Sequence, residues 1–489
     1  MLKQFLLIGL ILLALVALPI NDLSAAEPVK LNIAKPNIIV ILADDLGYSD
    51  LGFQGCKDIP TPHLDALAAS GTRFTSGYVS GPYCSPTRAG LLTGRYQTRF
   101  GHEFNPGKFP AHSEVGLPLT EKTIADRLNA AGYATGMIGK GHLGLAPRFH
   151  PQKRGFDEFY GFLWGANEYL PAEKDGSIPN ILRGTEPVRE TAYLTDAFAR
   201  EAVSFIDRHQ KEPFFLYLSF NAVHTPMEAN PERLEKFASI KDQRRRAYAA
   251  MTSAMDDAVG SVMAALKKDK LEEKTLIFFL SDNGGPSVVG TTLNGSNNLP
   301  LRGSKKQTLE GGVRVPFVVS WKGTVPAGQV LNQPIIQLDI LPTALAAAGV
   351  DLSQSPELEG VNLLSLLTGK TKEPPHEALY WRFGDQMAIR RGKWKLVRYD
   401  ADLRRTKSEQ STQDKPAAQL FDLENDIGET KDLASKHPEI VAELQAKWDK
   451  WNEKNVPAAW AERPAAVKKE GASKFTSPAR GRGRRPSGG

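Results

Sequence analysis

Hydrophobic residues in this chain come in two textures. Between Pro36 and about residue 350, short unbroken apolar runs alternate with longer stretches in which apolar positions recur every three or four residues. Asn37–Ala43 is the clearest run: it carries no charge and is rich in β-branched side chains, the pattern of a strand buried on both faces. Residues 133–138, 213–220, 275–280 and 316–321 repeat it. Helices are predicted over 61–68, with Thr61 as N-cap and Pro62 in the first turn, and over 121–131, 193–209, Gln243–Lys268 and 338–348. The run Ala89 to Leu92, ending in Thr93-Gly94, predicts a short helix with a glycine stop, which would leave Cys84 just ahead of its N-terminus. Strands alternating with helices call for an α/β fold: a large mixed, mostly parallel sheet flanked by helices on both faces.

From about residue 373 the runs shorten. Residues 379–382, 386–389, 394–397 and 420–423 read as strands separated by turns, and 439–451 as an amphipathic helix. This predicts a smaller C-terminal domain with a four-stranded antiparallel sheet and a helix, interrupted by a charged surface loop over 400–416. At the other end, Lys3, the apolar residues 5–18 and Ser24-Ala25-Ala26 have the three parts of a signal peptide. Its apolar core is short for a membrane span, and no cysteine follows it for lipid attachment. The expected division is therefore 1–26 signal peptide, 27–372 large α/β domain, 373–455 antiparallel-sheet subdomain and 456–489 basic, disordered tail. The expected location is periplasmic or secreted, without stable membrane insertion.

Charge changes the picture only at the tail. The formal charge is +6, but residues 463–489 hold eight basic residues against one acidic, leaving a body near −1. Nothing in the body suggests nucleic acid as a partner. Cys56 and Cys84 are the only cysteines, so at most one disulfide can form.

Polar groups gather where the predicted strands end. Asp44-Asp45-Leu46-Gly47 follows the first strand; two adjacent carboxylates there would repel each other unless a cation or a helix N-terminus met them. Gly139-Lys140-Gly141-His142-Leu143-Gly144, His224-Thr225-Pro226 and Ser281-Asp282-Asn283-Gly284 follow three more strands. In open α/β sheets ligands bind at this edge. Each string alone reads equally well as a polar turn; their joint occurrence is the signal. Cys84-Ser85-Pro86-Thr87-Arg88, continued to Thr93-Gly94-Arg95, is more specific.

That string resembles the signature of type I, formylglycine-dependent sulfatases. The other strings, together with Leu301-Arg302-Gly303 through Glu310-Gly311-Gly312, extend the resemblance to arylsulfatase A-like members of the alkaline-phosphatase-like superfamily from Pro36 to about Lys450. The resemblance implies that Cys84 is oxidised to formylglycine by a formylglycine-generating or anaerobic sulfatase-maturing enzyme. It implies one calcium ion held by Asp44, Asp45, Asp282, Asn283 and the modified Cys84. Oxygen donors suit this hard cation and a soft thiolate does not, which independently favours conversion. In the implied mechanism a gem-diol hydroxyl at residue 84 attacks sulfur with Asp282 as base, giving a covalent sulfo-enzyme. His224 and Lys305 lie on the leaving-group side, and His142 takes the proton of the second hydroxyl as sulfate leaves. Lys140 and Lys305 compensate sulfate charge, and Arg88 holds the diol and its neighbouring carboxylates. Four positions depart from the family pattern: Thr87 stands where a serine is usual, Gly141 where an aromatic is usual, and Ser304 and Lys306 where small residues are usual. Spacing to Glu310-Gly311-Gly312 assigns Lys305 as the active-site lysine, with Lys306 its competitor.

Export favours a sulfated carbohydrate, algal or host, over a small aryl sulfate as substrate. His102, Asn105, Trp164, Asn167 and Glu168 are candidate contacts to the sugar. Two other readings share the fold: a phosphate or phosphonate monoester hydrolase, and a non-catalytic glycan-binding member. A single acidic set favours one metal, against the first; the full set Cys84, Arg88, His142, His224 and Lys305 counts against the second.

Overall fold

The computed structural model describes residues 35–107, 115–171, 181–399, 401, 403 and 416–461. The expected signal peptide, most of the 400–416 loop and the basic tail from 462 lie outside the described residues. The chain opens with β1 (Asn37–Ala43), α1 (Pro62–Ala69), β2 (Thr72–Phe74), β3 (Gly77–Tyr78) and α2 (Cys84–Thr93). Next come α3 (Ile124–Ala130), β4 (Ala134–Lys140), β5 (Glu158–Phe162), β6 (Ile181–Arg183) and β7 (Glu186–Val188). α4 (Leu194–His209) leads into β8 (Phe214–Ser219); α5 (Pro231–Lys236) and α6 (Gln243–Lys268) lead into β9 (Thr275–Ser281). α7 (Glu310–Val313), β10 (Phe317–Ser320), β11 (Gln329–Leu331), β12 (Ile335–Ile336), α8 (Ile340–Ala347) and α9 (Leu364–Leu367) follow.

Every residue of β1 is buried, as its uninterrupted apolar sequence requires, and each Ile, Val or Leu there contributes about 1.5–3 kcal/mol of transfer free energy. β1 is central in a 10-stranded sheet of order β11-β2-β10-β9-β1-β8-β4-β5-β6-β7. The middle strands β9, β1, β8, β4 and β5 run parallel, while β10 and the β6–β7 hairpin are antiparallel additions. On one face, Ile39, Ile41, Leu216 and Leu218 share a core with Phe198 and Phe205 of α4 and Tyr248, Met255 and Val259 of α6. α2 packs with α3 and α8.

The second sheet orders β13 (Leu379–Phe383), β14 (Gln386–Arg391), β15 (Trp394–Arg398) and β16 (Gln419–Asp422) antiparallel, and α10 (Pro438–Asn452) buries Leu444, Trp448 and Trp451 against it. This sheet shares one aromatic core with Tyr78 of β3, which pairs with β12 in a separate two-stranded sheet, and with Tyr96, Leu309, Val313 and Leu338. Trp381 Nε1 donates to Val79 O at 2.7 Å. Below it, Lys395 reaches Glu310 at 2.8 Å and Glu429 at 3.0 Å, and Arg314 reaches Glu310 at 3.1 Å. The two sheets belong to one compact unit.

Some predicted boundaries move. α2 starts at Cys84 itself, so residue 84 is the first helical residue rather than one ahead of the helix. Proline is tolerated in a first turn, where its missing N–H costs nothing. α3 starts later than expected because Thr123 and Asp126 form a capping box. β4 runs on to Lys140, carried by its pairing with β5. Cys56 and Cys84 are both free, so the one possible disulfide is not formed. Residues 456–460, grouped above with the tail, are held along the 98–105 segment: Val456 N donates to Thr98 O at 3.1 Å and Ala459 N to Gly101 O at 2.9 Å.

Candidate active site

Strand register builds the site. β1 and β9 pair with Ala43 opposite Ser281, and β1 and β8 with Leu42 opposite Ser219, so their carboxyl ends finish side by side. Asp44-Asp45 and Asp282-Asn283 therefore emerge together from adjacent strands. Asp282 N donates to Ala43 O at 3.0 Å, and Asp45 N to Asp282 Oδ1 at 3.2 Å. One carboxylate oxygen each from Asp44, Asp45 and Asp282 and the Cys84 sulfur lie within 4.8 Å of one another, all buried. Cys84 Sγ is 3.6 Å from Asp44 Oδ1. Asn283 donates to Asp45 Oδ1 at 2.7 Å, while its own buried Oδ1 has no hydrogen-bond partner among the described residues. An unpaired buried acceptor is costly, and here it stands beside three carboxylates.

Cations close the other side. Arg88, one helical turn beyond Cys84, donates to Asp282 Oδ2 from Nε at 3.1 Å and Nη2 at 2.8 Å, to Lys140 O at 3.1 Å and to Ser219 Oγ at 2.5 Å. Lys140, at the end of β4, pairs with Asp44. Lys305 Nζ lies 2.7 Å from Asp45 Oδ1 and 2.8 Å from its Oδ2. His224 Nε2 is 3.6 Å from Asp45 Oδ2, with Nδ1 2.6 Å from Thr225 O.

Electrostatics follow from burial and this pairing. Burial pushes the Cys84 thiol well above its ordinary range, outweighing Lys140 and Lys305. Burial also acts to raise Asp44, but Lys140, His224 and Arg88 hold it low. Asp282 is raised by burial and by Asp44. Burial, then Lys140 and Arg88, lower His142, and burial, then Lys305, lower His224. Burial disfavours the Lys305 ammonium, yet Asp45 keeps it charged. Three carboxylates thus face Arg88, Lys140 and Lys305 in local balance, and a divalent cation would leave the site positive, suited to an anionic ester.

The remaining sequence candidates fall in two places. Lys306, at φ +72, stands over the Tyr83 ring at 5.0 Å, whereas Lys305, 3 % exposed, is the lysine paired with Asp45. His102 is fully buried, its Nε2 2.6 Å from Ser85 Oγ, and Asn105 Oδ1 accepts from Ser85 N at 2.9 Å. Both support the residue after Cys84. Trp164 is 38 % exposed, and with Asn167 and Glu168 it lies on the loop after β5, where Gly165 packs on the His142 ring. Sequence reasoning passed over Ser219, which joins Arg88 to Lys140 O, and Asn294, which donates to Asp45 O at 3.1 Å and Val223 O at 2.9 Å. Ser219 had one signal, a hydroxyl closing an apolar strand; Asn294 had none.

Comparison with known proteins gives this arrangement its class. The family described as Sulfatase matches residues 36–350, and that described as N-sulphoglucosamine sulphohydrolase, C-terminal, matches 304–454. The chain belongs to the sulfatase family, as a type I sulfatase of the alkaline-phosphatase-like superfamily. It is a sulfuric ester hydrolase. It is 36% identical over 464 residues to arylsulfatase A of Bos taurus, covering 87% of each chain. It is 35% identical over 379 residues to N-acetylgalactosamine-6-sulfatase of Sus scrofa, covering 74% of this chain and 71% of that one. The crystal structure of Ps i-CgsB in complex with k-i-k-neocarrahexaose is similar with a TM-score of 0.79 at 39% identity, over 88% of this chain and 95% of that one.

Proposed function

We propose that this chain is an exported enzyme that removes sulfate from a sulfated carbohydrate, with residue 84 converted to formylglycine and one calcium ion in the acidic cluster. The observation that carries the reading is the seating of Cys84 at the head of a buried helix, its sulfur within 4.8 Å of oxygens from Asp44, Asp45 and Asp282. The donor set fits the ion: three carboxylates and the unpartnered Asn283 Oδ1 are hard oxygen ligands, and a protonated thiol is the one misfit among them. Conversion to formylglycine replaces that misfit with oxygen. When bound, calcium would supply the charge that holds this oxygen and polarises the ester, in a covalent two-step hydrolysis.

The chain's own residues do the rest. Arg88 fixes Asp282 through two hydrogen bonds, leaving that carboxylate beside residue 84 to accept its proton. Lys140 and Lys305 offset charge on the sulfate oxygens. Lys305, held on Asp45 with His224 beside it, is the proposed proton donor to the departing alcohol. His142 is the proposed acceptor of a proton from residue 84 in the second step. Asn105, Trp164, Asn167 and Glu168 are the proposed sugar contacts, and His102 reaches the site only through Ser85. The names of the similar proteins, an N-acetylgalactosamine-6-sulfatase and a structure holding k-i-k-neocarrahexaose, support a carbohydrate substrate.

Mass spectrometry of the residue-84 peptide, from protein made with a maturing enzyme, tests the reading. An aldehyde in place of the thiol, with turnover of k-i-k-neocarrahexaose or 4-nitrophenyl sulfate well above that of 4-nitrophenyl phosphate, is expected. Active protein with an unmodified cysteine, or preference for the phosphate, would overturn it.

A further inference from the structure

His102 is 0 % exposed and its ring touches two parts of the chain at once. On one side His102 Nε2 lies 2.6 Å from Ser85 Oγ, and Ser85 Oγ lies 2.6 Å from the backbone oxygen of His142. A hydroxyl has a single proton and a carbonyl only accepts, so Ser85 donates to His142 O and His102 must donate from Nε2. This pattern assigns the proton to Nε2, on the side away from the Gly116 backbone that also acts on the ring. On the other side the Trp460 indole meets the His102 ring edge-on, with centroids 4.7 Å apart at 80°. Trp460 Nε1 donates to Phe104 O at 3.1 Å and Asn105 O at 3.2 Å, and Asn105 Oδ1 in turn accepts from Ser85 N at 2.9 Å. Trp460 lies past residue 454, where the second family match ends.

His142 needs such a hold. Its φ is +60, a left-handed conformation that a residue with a Cβ adopts only when neighbours fix it. Its backbone amide donates to Leu163 O at 3.2 Å and its backbone oxygen accepts from Ser85. Ser85 is thus bonded to the His142 loop and covalently joined to residue 84.

We propose that Trp460, His102 and Ser85 form a positioning relay: the C-terminal segment seals His102, His102 orients the Ser85 hydroxyl, and Ser85 sets the distance between His142 and residue 84. All three are positioning residues, acting through His142 and residue 84, and the proposal rests on the proton-transfer role given to His142 above.

Two measurements on the full chain test it. The first needs no turnover: amide hydrogen exchange in protein left unconverted at Cys84. His102→Leu and Trp460→Ala are expected to speed exchange at Ser85 and His142 about tenfold or more, while β9 keeps its wild-type rate. Unchanged exchange at both amides overturns the relay. Trp460 is only half-buried, so its variant folds even where His102→Leu does not. The second uses converted protein, with rates on k-i-k-neocarrahexaose or 4-nitrophenyl sulfate expressed per aldehyde. His102→Leu should lower kcat about 10- to 100-fold with KM little changed. His102→Gln, whose amide can still donate to Ser85, should recover to within about threefold. The double variant His102→Leu/Trp460→Ala should be no worse than His102→Leu alone. Equal loss in the Leu and Gln variants, or fully additive losses, overturns the relay. Exchange that responds as expected in a converted chain that turns over no sulfate ester leaves the relay standing and overturns the proposed function.

Discussion

Two neighbouring lysines show how much a single backbone angle decides. Lys305 reaches both oxygens of Asp45 and also stands 5.4 Å from the Tyr83 ring centre, while Lys306, at φ +72, stands over that ring at 5.0 Å. Lys305→Ala is therefore expected to lower kcat about 100-fold or more, as loss of a transition-state charge partner does, and Lys306→Ala to stay within about threefold. Initial rates on one sulfate ester decide it; the reverse ranking would mean that Lys306 is the working lysine. Asn283 makes a second test. Calcium should raise the melting temperature of the wild-type chain, by about 2.7 kcal/mol of stabilisation at 100 times its Kd, and a chelator should remove that gain. Asn283→Ala takes away the unpartnered oxygen, so its calcium response should appear only at higher concentration. Equal calcium titrations of the two proteins would put Asn283 outside the ligand set.

At the scale of elements, apolar runs and strand ends were the most legible part of the chain. An uninterrupted run of β-branched and aromatic residues marks a buried strand, and β1, β8 and β9 were read within a residue or two of their bounds. β6, β7 and β11 were not seen: each is 3 residues long, only partly buried and paired at the sheet margins, so no periodicity marks it. β5 was missed although mostly buried; it is 5 residues long, opens on Glu158 and carries Gly161 next to its end. The start of α2 was misread because Ser85-Pro86-Thr87 has the composition of a turn. The site itself was legible where a residue's chemistry announces it, as with the carboxylates and Cys84. It was illegible where tertiary partners set the role, as with Ser85, Ser219, Asn294 and Trp460. Gly284 belongs to this scale too. A Cβ there would lie 1.8 Å from Gly311 O, so the loop after β9 and α7 can meet only without a side chain. Gly284→Ala should cost about 1–3 kcal/mol in urea denaturation and weaken calcium binding with it. A wild-type denaturation midpoint would show that the two segments part freely.

Across the whole molecule, polar ties as well as the shared aromatic core join the C-terminal sheet to the first. His376, just before β13, places Nε2 2.8 Å from Asp339 Oδ1, ahead of α8. Burial works against the imidazolium, but Asp339 outweighs it and raises the pKa above 6.5. The folded state therefore holds a proton that the unfolded chain loses near pH 6.5. The stabilisation is complete below that value and fades as pH rises through the higher folded pKa. The stability difference between wild type and His376→Gln should shrink from pH 5.5 to 8.5; a constant difference would mean that the ion pair contributes nothing.

All ten residues of α2 are buried, and residue 84 opens that helix beneath three strand ends. On the reading proposed here, a maturing enzyme must grip an extended peptide around residue 84, and the finished fold offers none. Conversion then races against folding. Once β1 and β9 have paired across more than two hundred residues and α2 has docked, an unmodified cysteine is sealed in. The yield of active enzyme would be set by how long the nascent chain stays open, so slowing its folding should raise the converted fraction, and chaperone-free rapid refolding should leave it unconverted.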